Sequence, residues 1–163
     1  MQVSLSGTGI WLADGATNIM PVGPHRGNEL SAEQITENST VVHRAWKLHY
    51  GHCRHSLASG FYQGWDLHPA QLPTRYAAIY SFFFEGLEAS TDRLKNFIDA
   101  AARSTLIGDI FDDAATGQGL LNYFLRAVNC GAMAEEEAAQ LTGLSLDEFR
   151  SASFEKILSN RLG

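Results

Sequence analysis

Two prolines, Pro69 and Pro73, divide this sequence into halves with different periodicities. Proline lacks an amide donor and biases the residue before it toward extended backbone, so neither a strand nor a helix passes easily through both positions. After Pro73, apolar residues recur at every third or fourth position. The first run is Tyr76, Ile79, Tyr80, Phe83 and Leu87; the second is Leu94, Phe97, Ile98 and Ala101; the third is Leu120, Leu121, Phe124, Ala127 and Val128, which should stop near Gly131. This spacing predicts several helices, each with one apolar stripe. A short acidic helix from Ala134 ends before Gly143. The last helix starts at Ser145, where Glu148 completes a capping box and Leu144 is placed to staple onto Phe149.

Ahead of Pro69 the signals are mixed. Met1 to Leu5 reads as the end of a strand running into the small-residue turn Ser6-Gly7-Thr8-Gly9. A β-hairpin is expected over residues 10–22, with Asp14-Gly15 at its tip because glycine supplies the positive φ of a tight turn. Ser31 with Gln34 forms a capping box opening a long helix, in which Val42, Trp46, His49, Cys53 and Leu57 share a face before a stop at Gly60. Phe61 to Leu67 is a short aromatic-rich strand candidate that His68-Pro69 terminates. The expected order is strand, hairpin, helix, strand and helical tail, an α/β arrangement with residues 1–75 and 76–163 as its two parts. It is lopsided, because parallel strands are normally covered on both faces and two strands cannot supply that.

A chain of 163 residues, 45% apolar, is the size of one ordinary domain and needs no disulfide or structural metal to hold a core. Its net charge of -6, without any basic run, argues against nucleic acid or an anionic membrane as a partner. Cys53 and Cys130 lie far apart and read as reduced, buried thiols. The stretch Tyr76 to Leu87 falls well short of the ~20 apolar residues that span a bilayer, and no export signal opens the chain, so a cytoplasmic location is expected.

The densest chemistry lies between Gly60 and Tyr76. Ligands of parallel α/β folds bind outside the carboxyl ends of strands, which makes Asp66, His68, Gln71 and Arg75 candidates for a site mouth. The competing reading has His68-Pro69 shaping a turn and Arg75 pairing with an acidic neighbour. Thr8 joins the candidates as part of a second strand-end loop.

The segment Gly60-Phe61-Tyr62-Gln63-Gly64-Trp65-Asp66-Leu67-His68-Pro69-Ala70-Gln71-Leu72 resembles the last barrel strand of the citrate-lyase-β and HpcH/HpaI aldolase families, in the phosphoenolpyruvate/pyruvate TIM-barrel superfamily. It is most similar to a bacterial branch often labelled aldolase or phosphoenolpyruvate kinase. The segment Leu12 to Asn18 and the helix from Val42 to Leu57 share that likeness. What the resemblance implies is the C-terminal fragment of a (β/α)8 barrel: about two strands plus the hairpin, then a helical tail. A closed barrel of this kind needs about 250 residues and eight strands.

The implied activity is metal-dependent carbon–carbon lysis of pyruvate-like or oxo-acid substrates. In intact relatives Mg2+ polarises an enolate oxygen; its glutamate and aspartate ligands, and an arginine for the substrate carboxylate, lie upstream of anything matched here. The resemblance therefore implies a chain inactive alone, binding no cofactor by itself, and completed by self-association or by an amino-terminal barrel half. Thr8, Asp66, His68 and Gln71 would stand near the pocket mouth. Where citrate-lyase-like members often carry a lysine after the glycine, this chain has Trp65 and Asp66. A non-catalytic helical interaction module is the alternative.

Other patterns carry less. His43, His49, His52 and His55 fall on one helix, but no Asp or Glu lies among them and His-Glu-x-x-His is absent, so they read as core or surface residues. Asp112-Asp113 reads as a helix cap and Glu135-Glu136-Glu137 as a solvated first turn. No Gly-x-Ser-x-Gly pattern occurs.

Overall fold

The structure is a computed structural model that describes residue 4, residue 10 and residues 12–62, 64–107 and 114–162. Among these residues it is helical, without a strand or sheet. From residue 12 onward the described residues form six helices, α1 Ala32–Ala58, α2 Leu72–Ile107, α3 Ala114–Asn129, α4 Glu135–Thr142, α5 Leu146–Arg150 and α6 Phe154–Leu162, with a 3-10 turn at Pro69–Gln71 before α2. The chain divides into two compact units, Met1–Phe82 and Phe83–Gly163, and the boundary falls within α2.

This overturns the barrel-fragment expectation. Residues 12–22 form no hairpin; Ala13 makes only an isolated bridge, although Gly15 does take the positive φ of 92° expected at a turn. The described residues of the expected strand, Phe61, Tyr62 and Gly64 to Leu67, are not in a strand. In both stretches, side chains satisfy backbone groups that a ladder would otherwise have to satisfy. Gln71 donates its amide to the carbonyls of Thr17 (2.9 Å) and Ile19 (3.3 Å), while its Oε1 accepts from the amides of Leu67 (2.9 Å) and His68 (3.2 Å). One buried side chain therefore does for two loops what a neighbouring strand would have done. The strand expected over Met1 to Leu5, apart from Ser4, the Ser6-Gly7-Thr8-Gly9 turn and Asp112-Asp113 lie outside the described residues.

In the first unit, α1 starts with the capping box: Ser31 Oγ accepts from the Gln34 amide, and Gln34 Oε1 accepts from the Ser31 amide at 2.9 Å. Ala45, His49, Cys53 and Leu57, each one turn from the next, form its buried stripe. Trp46, expected on that face, is 37% exposed and donates its indole N–H to the Ala70 carbonyl. Gly60, at φ 81°, ends the helix, and the Phe61 amide turns back to the Ser56 carbonyl. Pro73 sits in the first turn of α2, where its missing donor costs nothing.

The second unit carries the more conventional core, with Phe83, Leu94, Ile98, Leu121, Phe124, Phe149, Phe154 and Ile157 almost wholly buried. The stripes from Tyr76 to Leu87 and from Leu94 to Ala101 belong to one uninterrupted helix of 36 residues. Gly86 does not end it; a Cβ there would meet the Tyr123 hydroxyl at 2.8 Å, and that hydroxyl donates to the Phe83 carbonyl. Here glycine gives room to a neighbour. The Ser145–Glu148 capping box forms as expected, and Leu144 and Phe149 are both buried. Gly143, at φ 72°, closes α4. The Arg161 guanidinium donates to Glu148 at 2.6 Å and holds its carboxyl down at about 2. The first amide of α6, on Phe154, donates to Gln118 of α3 at 2.8 Å.

A buried charge cluster as the candidate functional site

The polar centre of the first unit is built on three segments. Helix α1 carries His49, His52 and Cys53 at its inner face and edge; the loop before it carries Thr17; the segment leading into α2 carries Asp66, Gln71 and Arg75. Arg75 makes a forked pair with Asp66, Nε to Oδ2 at 2.7 Å and Nη2 to Oδ1 at 2.8 Å, and Nη2 also donates to the Trp65 carbonyl at 2.9 Å. Such a two-point fork is the strong form of a charged hydrogen bond. The side chains of Asp66 and Arg75 are 8% and 17% exposed, so the pair is little screened by solvent. Burial opposes the charge on Arg75, but the hydrogen bond to Asp66 and the nearby carboxylate outweigh it and raise its pKa further.

His49 lies against the other side of Asp66, Nε2 to Oδ1 at 3.1 Å, and is 1% exposed. Burial lowers its pKa; the Asp66 charge opposes that, whereas Arg75 and His52 add to it. It is therefore neutral at pH 7. A carboxylate only accepts, which assigns the single ring proton to Nε2 and leaves Nδ1 as an acceptor. The Thr17 hydroxyl, 3.0 Å away, donates to Nδ1, and its oxygen then accepts from Nδ1–H of His52, also at 3.0 Å. The chain of bonds runs from Arg75 through Asp66, His49 and Thr17 to His52, which is exposed. Cys53 Sγ rests 3.7 Å from His49 Nε2, and burial pushes its thiol pKa up, the opposite of what a nucleophile needs.

The structure thus brings together three of the expected site residues and holds a fourth beside them. Asp66, Gln71 and Arg75 all face inward. His68 is spent locally: its Nδ1 accepts from the Ala70 amide at 3.1 Å and caps the 3-10 turn. Thr8 lies outside the described residues. Reasoning from sequence missed Thr17, His49 and His52. One signal was available for His49, a polar ring on an apolar stripe one turn before Cys53, which a fold can bury only with a partner. Nothing in the sequence marks Thr17, whose role comes from a contact 32 residues away.

The donor set does not fit the Mg2+ implied for intact lyases. Both oxygens of Asp66 are held by Arg75 and His49, and among the described residues no group of three His, Cys, Asp or Glu side chains is placed to hold a metal ion. Within the same residues no helix is long and apolar enough to cross a membrane.

No curated protein and no solved structure matches this chain. A family profile described as "Domain of unknown function (DUF6986)" matches residues 1–157, nearly the whole length, and the chain belongs to that family.

Proposed function

We propose that the chain is a helical portion of an enzyme resembling the carbon–carbon lyases of pyruvate-like oxo acids, and that it positions rather than performs the chemistry. The observation that carries this reading is the use made of the candidate residues. Asp66, His68 and Gln71, whose resemblance to a pocket mouth motivates the proposal, all spend polar atoms on bonds within the chain, as does Arg75. Groups so engaged stiffen a wall and leave the cation and the reacting carbonyl to be handled by residues from elsewhere. Incubation of the chain with Mg2+ and oxaloacetate, malyl or citramalyl substrates should give no turnover above the metal alone. Metal-dependent product formation by this polypeptide alone would falsify the proposal.

A second reading, an interaction module that meets a copy of itself or a separate protein half, draws on the surface. Every large apolar residue exposed among the described ones lies at Phe84 or before, including Trp65 (55%), Leu67 (47%), Leu72 (44%) and Tyr76 (50%) around the charge cluster. Apolar surface of that kind is characteristic of contact sites. Light scattering on the eluting peak should then show a dimer that Trp65→Ser with Tyr76→Ser converts to monomer; a monomeric wild type at all concentrations removes self-association.

A further inference from the structure

The charge cluster contains a continuous row of hydrogen bonds that joins solvent to a buried carboxylate. His52 is exposed, His49 is 1% exposed, and the Thr17 hydroxyl stands between them, 3.0 Å from Nδ1 of each ring. Thr17 is itself buried, and its backbone is fixed because its carbonyl accepts the Gln71 side-chain amide at 2.9 Å. A hydroxyl has one proton, so it donates to one ring and must accept from the other. Asp66 decides which. Its carboxylate keeps the His49 proton on Nε2, so Thr17 donates to His49 and accepts from His52. The exposed ring is thereby held in the Nδ1–H form, although imidazole in water prefers the Nε2–H form. Every bond between His52 and His49 can also run the other way with no atom changing its neighbour. The end at Asp66 admits that reversed row when His49 carries a proton on both nitrogens.

We propose that His52, Thr17 and His49 form a proton relay through which acid reaches the Asp66–Arg75 fork without the fold opening. The step is a shift along the row. Hydronium gives a proton to His52 Nε2 and leaves as water; His52 passes the proton on its Nδ1 to the Thr17 oxygen; Thr17 passes its own hydroxyl proton to Nδ1 of His49. His52 and Thr17 each break one bond to hydrogen as they form another, and the positive charge ends on His49, which keeps its Nε2–H against Asp66. The groups facing His49 are Asp66 and Arg75 from the segment leading into α2, and His52 and Cys53 from α1. Asp14, from the loop before α1, and His55 line the cavity beside His52. The arriving charge is attracted by Asp66 and repelled by Arg75. Both cations then compete for one oxygen, since Asp66 Oδ1 lies 3.1 Å from His49 Nε2 and 2.8 Å from Arg75 Nη2. That Arg75 nitrogen also holds the Trp65 carbonyl, so acid loosens the anchoring of the segment before α2. The relay rests on the charge cluster alone and is independent of the lyase reading.

The test is NMR of the full chain, isotope-labelled at its histidine ring nitrogens, in which long-range couplings show which nitrogen bears the proton. At about pH 8, His49 should carry its proton on Nε2 and His52 on Nδ1. Thr17→Val, close in shape but without the hydroxyl, should return His52 to the Nε2–H form and leave His49 unchanged, whereas Thr17→Ser should behave as the wild type. On titration toward about pH 5, the wild-type His49 signals should exchange rapidly between neutral and charged forms; in Thr17→Val, where the proton must wait for local opening, that exchange should slow by at least about tenfold. Far-UV circular dichroism and the unchanged His49 tautomer verify that the variant is folded. Two results with the wild type alone would overturn the proposal: a neutral His52 bearing its proton on Nε2, or a His49 that takes no proton before the chain unfolds. So would a folded Thr17→Val that protonates His49 as fast as the wild type, or a Thr17→Ser that behaves like Thr17→Val.

Discussion

Asp66 stands between Arg75 and His49, its Oδ1 within 3.1 Å of both, so one buried carboxylate ties the start of α2 to the middle of α1. Removing one partner strands the other's charge in a poorly hydrated place. Arg75→Ala and Asp66→Asn should each cost about 3–5 kcal/mol, whereas Asp66→Asn combined with Arg75→Met should cost less than the sum, since no unpaired charge remains. Urea unfolding of the two single variants and the double variant measures this. Simple additivity would show that the pair is not coupled.

Gln71 is fully buried and makes four bonds to backbone groups of two loops. Gln71→Ala leaves those donors and acceptors for water to find, at about 1–3 kcal/mol for each group that stays dry. We expect a loss of at least about 2 kcal/mol, and faster hydrogen exchange at the Leu67 and His68 amides than at α3 amides. Unchanged exchange at Leu67 and His68 would contradict the bridging role.

Stability should fall as the medium is acidified through the histidine range. The folded pKa of His49 is lowered below its ordinary 6.5, chiefly by burial, so below pH 6.5 the unfolded chain binds a proton that the folded chain refuses. The stabilisation is complete above 6.5 and is lost as pH falls toward the folded pKa. Melting temperatures compared at about pH 7.5 and about pH 5.5 should drop for the wild type, and the drop should shrink in His49→Gln. An equal drop in both would place the sensitive group elsewhere.

Two glycines of α3, two positions apart, should respond oppositely to alanine. At Gly119 an added Cβ meets nothing within 4 Å, so Gly119→Ala should stabilise by up to about 1 kcal/mol through helix propensity alone. At Gly117 it would lie 2.4 Å from the buried Phe154 ring, and overpacking of about 1–3 kcal/mol should outweigh the same propensity gain. Thermal melts of the two variants settle the sign, and a stabilised Gly117→Ala would mean that Phe154 moves freely.

Local rules written in the chain determined much of this protein. Ser31 with Gln34, Ser145 with Glu148, and the glycines at 60, 131 and 143 mark helix ends, because caps are satisfied within a few residues. The stripes from Leu94 to Ala101 and Leu120 to Val128 mark helix faces, because 3.6-residue periodicity is a property of the backbone. Local signals failed at Phe61 to Leu67, whose aromatic content suits a strand but whose amides at Leu67 and its neighbour His68 are met by Gln71. Of the candidate site, sequence order alone put Asp66 and Arg75 near each other. Only tertiary structure decided that they share a carboxylate with His49, that Thr17 joins His49 to His52, and that Gln71 takes the place of a strand. Those contacts span between 17 and 54 residues of chain. Partners so far apart leave no periodic trace; they are chosen by which buried polar groups would otherwise go unmatched.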